Sequence, residues 1–171
     1  LDNPDMPSLI NSGFLEDITE QIPEKVMQDK YYPEVFNTVR SGDKIYGIPF
    51  SCNNTAIIYN KDMFDEAGLQ EPKTWEEFEN AAQTLTTQGE DGHYGFAMSA
   101  AGGEQGAFQF MPWLLATGVD TEHMEDDCTK EAFELIDHMI ADGSMPHECL
   151  NYSQNDLTRM FLDGKVAMIE N

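Results

Sequence analysis

Three short apolar runs, at residues 55–59, 94–98 and 165–169, constrain the fold of this chain most. Each run has the length and composition of a buried β-strand, and the segments between the runs carry residues that start and stop helices. Strands that alternate with helices favour crossover units, in which a helix returns the chain so that the next strand can pair in parallel. The alternation therefore predicts an α/β fold with an open, mostly parallel sheet flanked by helices.

The two helices predicted after the first run have strong terminal signals. Asn60 is a suitable N-cap for a helix over residues 61–67, and Gly68 stops that helix. Thr74 and Glu77 have the spacing of a capping box, in which each side chain bonds the backbone N–H of the other residue. The apolar residues that follow share one helical face and predict a helix packed against the sheet: Trp75, Phe78, Ala81, Ala82 and Leu85.

Other segments have weaker signals. Residues 44–49 have the pattern of a short strand, and residues 29–39 that of an irregular helix interrupted at Pro33. A helix is predicted over residues 108–117, where Pro112 either kinks it or marks its true start.

The charge balance excludes two classes of partner. The chain has 9 basic and 32 acidic residues, a formal net charge of −23. Nucleic acids and anionic membrane surfaces are bound through Lys and Arg, which this composition does not supply. The acidic residues are interpreted as a solvated surface that keeps the protein soluble. The sequence also lacks an apolar run with a length of ~20 residues, which a helix needs to cross a bilayer.

Cysteine and histidine spacing predicts no cofactor. Cys52, Cys128 and Cys149 fit no short-spaced metal motif, although a disulfide between Cys128 and Cys149 stays open. A metal cluster of Cys128 and Cys149 with His123 and His147 is conceivable, but its spacing is irregular. We therefore predict neither a metal site nor any other cofactor.

Several short motifs in a fixed order resemble a known family. They are Tyr46-Gly-Ile-Pro49, Tyr59-Asn-Lys-Asp-Met-Phe64, Ala67-Gly-Leu69, Pro72-Lys-Thr-Trp-Glu-Glu-Phe78, Tyr94-Gly-Phe96 and Phe161-Leu-Asp-Gly-Lys-Val-Ala-Met168. With a weaker match at Gly13-Phe-Leu-Glu-Asp-Ile-Thr19, they are distributed over nearly the whole chain. The set resembles bacterial extracellular solute-binding proteins, the receptor subunits of ABC importers, and in particular the receptors for maltodextrins and other sugars.

The resemblance implies a periplasmic-binding-protein-like fold of type II, with two α/β lobes joined by hinge strands and a ligand cleft between them. On that basis residues 1–50 would end the first-lobe segment, residues 51–55 would form a hinge crossing, and residues 56–171 would begin the second lobe. We expect an internal fragment with an incomplete two-lobe architecture, which would self-associate or bind its solute weakly.

The family function implied is a receptor that captures a mono- or oligosaccharide and delivers it to the membrane permease subunits of an ABC transporter. It would lie outside the cell or in the periplasm, tethered as a lipoprotein. Sugar recognition uses aromatic rings stacked on the sugar and planar polar groups that bond its hydroxyls. Two segments supply both, and the resemblance implies that they reach the cleft. Their predicted ligand-binding residues are Ser51, Asn53, Glu104, Phe108, Gln109 and Trp113.

Each candidate also has a purely structural interpretation. Ser51 and Asn53 could simply form a turn, and Phe108, Gln109 and Trp113 could belong to a helix core. Trp75, like Tyr46 and Tyr59, is assigned to packing.

Two other functions stay open on the sequence. The same scaffold could bind a polyamine or another small solute, since an acidic cleft with aromatic rings suits a polyamine. A glycoside hydrolase fragment is the enzyme alternative, because two carboxylates suffice for that chemistry. The sequence contains no nucleophile-elbow or zinc-protease motif, and we predict a binding protein rather than an enzyme.

Overall fold

The computed structural model describes residues 3–22, 30–89, 92–120, 122, 124 and 127–171. It divides into two compact units, Leu1–Asn53 and Asn54–Asn171. The division falls within the predicted hinge crossing at residues 51–55, whose role as a hinge stays a prediction.

The first unit has two short helices and a small hairpin. Helix α1 spans Met6–Ser12, helix α2 spans Pro33–Asn37, and strands β1 (Arg40–Ser41) and β2 (Lys44–Ile45) pair antiparallel. Short 3₁₀ turns lie at Asn3–Asp5 and Thr19–Gln21. The buried core is formed by Met6, Phe36, Val39 and Ile45.

Two predictions for this unit change in detail. The strand predicted at residues 44–49 shortens to β2, because its partner β1 has only two residues; Gly42 (φ 59°) turns the chain between the two strands. Pro33 begins helix α2 rather than interrupting a longer one, since its fixed φ suits the first helical position and its missing N–H costs nothing there. Asp29, where the irregular helix was predicted to begin, lies outside the described residues.

The second unit contains the main sheet. In chain order its elements are β3 (Ile57–Tyr59), α3 (Lys61–Ala67), α4 (Trp75–Thr84), β4 (Tyr94–Ala97), α5 (Glu104–Ala116), α6 (Asp127–Ala141), a 3₁₀ turn (His147–Asn151), α7 (Gln154–Leu162) and β5 (Val166–Glu170). The strand order is β3-β5-β4. The β4–β5 pair is parallel, as the crossover pattern predicted, whereas β3 pairs antiparallel with β5.

The helix starts follow the predicted capping chemistry with one correction. The Asn60 side chain accepts hydrogen bonds from the backbone N–H groups of Asp62 and Met63, and the Thr74 hydroxyl accepts one from Glu77 at 3.2 Å. The Glu77 carboxylate does not return to Thr74 but accepts from the N–H of Lys73 at 2.6 Å. The predicted bond from the Thr74 N–H to Glu77 is therefore wrong, and the donor is the preceding residue, Lys73.

Helices cover both faces of the main sheet. On one face an aromatic cluster joins β4 to α4 and α5, with Phe78, Phe96 and Trp113 at ring-centroid distances of 5.0–5.7 Å. On the other face Leu157 of α7 packs with Ala97, Val166 and Ile169. Gly95 permits the close approach of β4 and α4, because a Cβ at this position would lie 1.8 Å from the carbonyl oxygen of Ala82.

Helix α5 begins four residues before the predicted start at residue 108. Gly103 (φ 104°) turns the chain into the helix at Glu104, and Pro112 lies inside it. A proline there cannot donate to the carbonyl of Phe108, so the helix tolerates one missing bond rather than starting at the proline.

Three sequence expectations concern cysteines, metals and membranes. Cys128 and Cys149 are not bonded to each other, so the disulfide left open between them is not formed. Within the described ranges, no group of three or more potential ligands is arranged to hold a metal; His123 lies outside them. In that same part of the chain, no helix combines the length and apolarity needed to cross a membrane.

Candidate functional site

The carboxyl ends of the two parallel strands define the candidate site. Strands β4 and β5 end at the same edge of the sheet, where β3 begins and where the loop after β4 enters helix α5. The backbones of Ala56 and Asn171 bond each other there in both directions, at 3.1 and 3.2 Å. Open α/β sheets bind ligands outside the carboxyl ends of their strands. We call this region, residues 55–56, 98–105, 108 and 170–171, the carboxyl edge.

Helix α5 presents free backbone donors to the carboxyl edge. Its N-cap is Gly103, which has no side chain to cap the helix, so the first-turn N–H groups lack both a cap and an intrahelical acceptor. Glu104 and Gln105 in this first turn are exposed. Such N–H groups can donate hydrogen bonds to the hydroxyl oxygens of a polyhydroxylated solute, and a neighbouring carboxylate can accept hydrogen bonds from its hydroxyl groups.

Gln109 connects three elements behind this helix start. Its side chain is fully buried; Oε1 accepts a hydrogen bond from the Ser99 N–H, and Nε2 donates to the Glu170 carbonyl at 2.9 Å. Ser99 and Glu170 lie just beyond the last residue pair of β4 and β5, Ala97 with Ile169. The Gln109 amide therefore extends the hydrogen bonding between β4 and β5 past their last residue pair. Its burial favours a positioning role over direct ligand contact.

Trp113 is also turned inward. It is 8% exposed, stacks against Phe78 and Phe96, and donates from Nε1 to Glu170 Oε2 at 2.5 Å. Part of its ring reaches the wall of a shallow depression of about 250 Å³, which Tyr59 and Trp75 also line. Trp75 and Tyr59 are half-buried and contact the core. The packing interpretation of Trp113 thus has direct support, and its contact with a ligand stays a prediction.

Glu170 is the residue at this edge that sequence reasoning missed. Its side chain is 2% exposed, and burial raises the pKa of the carboxyl group to about 7. The Trp113 hydrogen bond and the nearby Thr55 hydroxyl oppose that rise in pKa. Oε1 is buried without a hydrogen-bond partner, so Thr55 stands close but outside bonding geometry. A signal existed: Glu170 directly follows the apolar run at residues 166–169, all of which are buried.

The other candidates are exposed, in two different units. Glu104 and Phe108 lie on α5, and Phe108 is 41% exposed. Ser51 and Asn53 are exposed and belong to the first unit. The structure brings Glu104 and Phe108 to the carboxyl edge. The roles predicted for these four residues stay predictions.

Comparison with known proteins establishes the family. The family model described as bacterial extracellular solute-binding protein matches residues 1–171, and the chain belongs to this family. The resemblance predicted from the motifs is thereby confirmed, and so is the α/β, type II periplasmic-binding-protein-like fold.

Among curated relatives, a putative binding protein of Brucella abortus is 28% identical over 176 residues, which are 95% of this chain and 43% of the relative. The multiple sugar-binding protein of Streptococcus mutans is 22% identical, over 99% of this chain and 42% of its own length. The chain thus spans less than half the length of the curated relatives it matches.

Solved structures show the same fold. A solute-binding protein of Thermotoga lettingae bound with α-D-tagatose is 25% identical and superposes with a TM-score of 0.80, over 97% of this chain and 45% of that one. A maltose-bound protein of T. maritima superposes with a TM-score of 0.82 at 22% identity, over 94% and 42% of the two chains. The second likeness shows the fold alone.

Proposed function

We propose that the full-length protein is a carbohydrate receptor of an ABC importer, and that the carboxyl edge supplies part of its solute site. The main observation in support of this solute site is the placement of Glu104 and Phe108 on helix α5. They are four residues apart, so a carboxylate and an exposed ring share one helix face beside uncapped N–H donors. A ring that stacks on a pyranose, beside groups that bond its hydroxyls, is the combination sugar recognition requires.

Two comparisons support carbohydrate as the solute class. One curated relative is named a multiple sugar-binding protein, and a 25% identical structure holds α-D-tagatose. Ser51 and Asn53 of the first unit would supply further polar contacts, as the family resemblance implies.

The rest of the proposal follows from the family. Binding would favour a closed arrangement of the lobes, and the closed receptor would deliver its solute to permease subunits in the membrane. The protein would act outside the cell or in the periplasm, tethered as a lipoprotein. It would bind its solute without chemical conversion.

The test is a binding screen of the full-length protein by thermal shift, followed by calorimetry with each solute that stabilises it. The panel contains α-D-tagatose, maltose, longer maltodextrins, D-mannitol and spermidine. We expect Phe108→Ala and Glu104→Gln each to raise the Kd of the bound sugar at least tenfold, about 1.4 kcal/mol. Phe133→Ala is the matched control, because Phe133 is exposed but contacts Phe110 rather than the carboxyl edge.

Other outcomes contradict the proposal in identifiable ways. Stabilisation by spermidine alone would establish the polyamine alternative. Turnover of chromogenic glycosides that disappears when one carboxylate is replaced would establish the hydrolase alternative. Unchanged sugar affinity in both α5 variants would exclude this part of the carboxyl edge from the solute site.

A further inference from the structure

Glu170 stands out because its carboxyl group is buried with one hydrogen bond and no cation. Oε2 accepts from Trp113 Nε1, while Oε1 has no partner and no access to water. An ionised carboxylate is stable inside a protein only when charges or several donors compensate for its lost hydration. The single indole donor does not provide that compensation. The unpartnered oxygen is therefore a position for a proton.

The elements packed around this carboxyl group present no charged side chain among the described residues. Thr55 lies nearby, just before strand β3, and Ile57 of β3 lies directly opposite Glu170 in the ladder. Helix α5 contributes Gln109 and Trp113, and β5 itself contributes Met168 on the same face. Burial, the Trp113 hydrogen bond and the nearby Thr55 hydroxyl are the influences acting on the group, so its charge state depends on pH rather than on an ion pair.

Glu170 also holds helix α5 against the sheet. Its side chain bonds Trp113 and its carbonyl accepts from Gln109, which in turn bonds Ser99 in the loop that leads to Glu104. Ionisation would strengthen the Trp113 bond and would require a water molecule or the Thr55 hydroxyl to reach Oε1. Either change would alter the contact between the end of β5 and helix α5. These are the backbone segments that form the carboxyl edge.

We propose that Glu170 is a proton-binding positioning residue, whose protonation state sets the position of helix α5 at the carboxyl edge. Protonation then modulates solute affinity, a consequence that rests on the proposed function. No bond other than the carboxyl O–H forms or breaks, and the proton is exchanged with solvent.

The first experiment needs no solute. The full-length protein is labelled with 5-fluorotryptophan, and the ¹⁹F resonance of Trp113 is identified by its loss in Trp113→Phe. We expect this resonance to titrate once between pH 5 and 9 in the wild type. Glu170→Gln should abolish the titration, because the amide keeps the shape and cannot ionise. Glu131→Gln, an exposed glutamate of α6, is the matched control and should leave the titration in place.

The second experiment measures the coupling to the solute site. Calorimetry with α-D-tagatose and maltose at pH 5.5 and pH 8.5 should show at least a threefold change in Kd in the wild type and none in Glu170→Gln. A Trp113 resonance that does not titrate, or that still titrates in Glu170→Gln, overturns the proposal. A titrating resonance with equal Kd at both pH values overturns the positioning role.

Failure of the proposed function can be distinguished from failure of the proposal for Glu170. Neither sugar would then bind at any pH, while the ¹⁹F titration would still decide whether Glu170 exchanges a proton. If Glu170→Gln does not fold, the wild-type pH profile of thermal stability decides the same point, since proton binding predicts a fall in Tm from pH 4.5 to 7.

Discussion

Replacing Gln109 by leucine tests the main structural assignment at the carboxyl edge. Leucine fills most of the same volume but removes both hydrogen bonds of the amide. The Ser99 N–H and the Glu170 carbonyl would then be buried without a partner, past the last residue pair of β4 and β5. Each such group costs about 1–3 kcal/mol, and the apolar side chain recovers about 1–2 kcal/mol through burial. The net loss in the free energy of unfolding is about 3 kcal/mol.

The assay is urea denaturation of the full-length protein, with Gln105→Leu as the matched control. Gln105 lies on the same helix one turn earlier and is exposed, so the same substitution should change the free energy of unfolding by less than about 0.5 kcal/mol. Equal stabilities of the two variants would refute the bridging role of Gln109. If Gln109→Leu instead lost sugar binding at unchanged stability, Gln109 would be a direct ligand contact.

Three further results follow from the fold. Gly95→Ala should destabilise by about 3 kcal/mol or more in thermal unfolding, because its Cβ would overlap the Ala82 carbonyl, whereas Gly102→Ala, which meets open space, should be nearly neutral. Asn60→Ala should cost about 1 kcal/mol in the same assay through loss of two capping bonds. Glu170 has a folded-state pKa of about 7 against 4.5 for an ordinary glutamate, so the folded state holds its proton longer. Stability should therefore fall by about 3 kcal/mol from pH 4.5 to 7, then level off, and be flat in Glu170→Gln; a rise over that range would contradict the burial argument.

Local chemistry made much of this fold predictable. The N-cap at Asn60 and the helix start at Thr74 depend on side chains that bond backbone groups two or three residues away, so the sequence contains both partners. The same reasoning gave a wrong prediction at Glu77, where a second backbone N–H, adjacent to the predicted one along the chain, competes for the carboxylate. The Glu77 carboxylate reaches Lys73, one residue before the predicted N–H, because the chain before Thr74 is extended and presents that donor.

Tertiary pairing explains what the sequence did not reveal. The antiparallel course of β3 depends on a partner strand more than 100 residues later, and no local pattern encodes its direction. Glu170 looked like the polar end of an apolar strand. Its burial follows from Ile57 across the ladder and Trp113 on another helix, neither of which is near it in sequence.

The candidate residues of helix α5 show how one error in a helix boundary spreads to the site. With the start at Glu104, residues 104 and 108 form one row and residues 109 and 113 another, each pair four residues apart. Since each residue advances about 100° around the axis, the two rows face different directions. The first row is exposed and the second is buried. A helix starting at residue 108 leaves Glu104 in the preceding loop, so the exposed row of Glu104 and Phe108 is not predicted. The turn at Gly103 therefore places Glu104 and Phe108, for which we propose a solute-binding role, on one exposed row of α5. The buried row, Gln109 and Trp113, bonds Ser99 and Glu170.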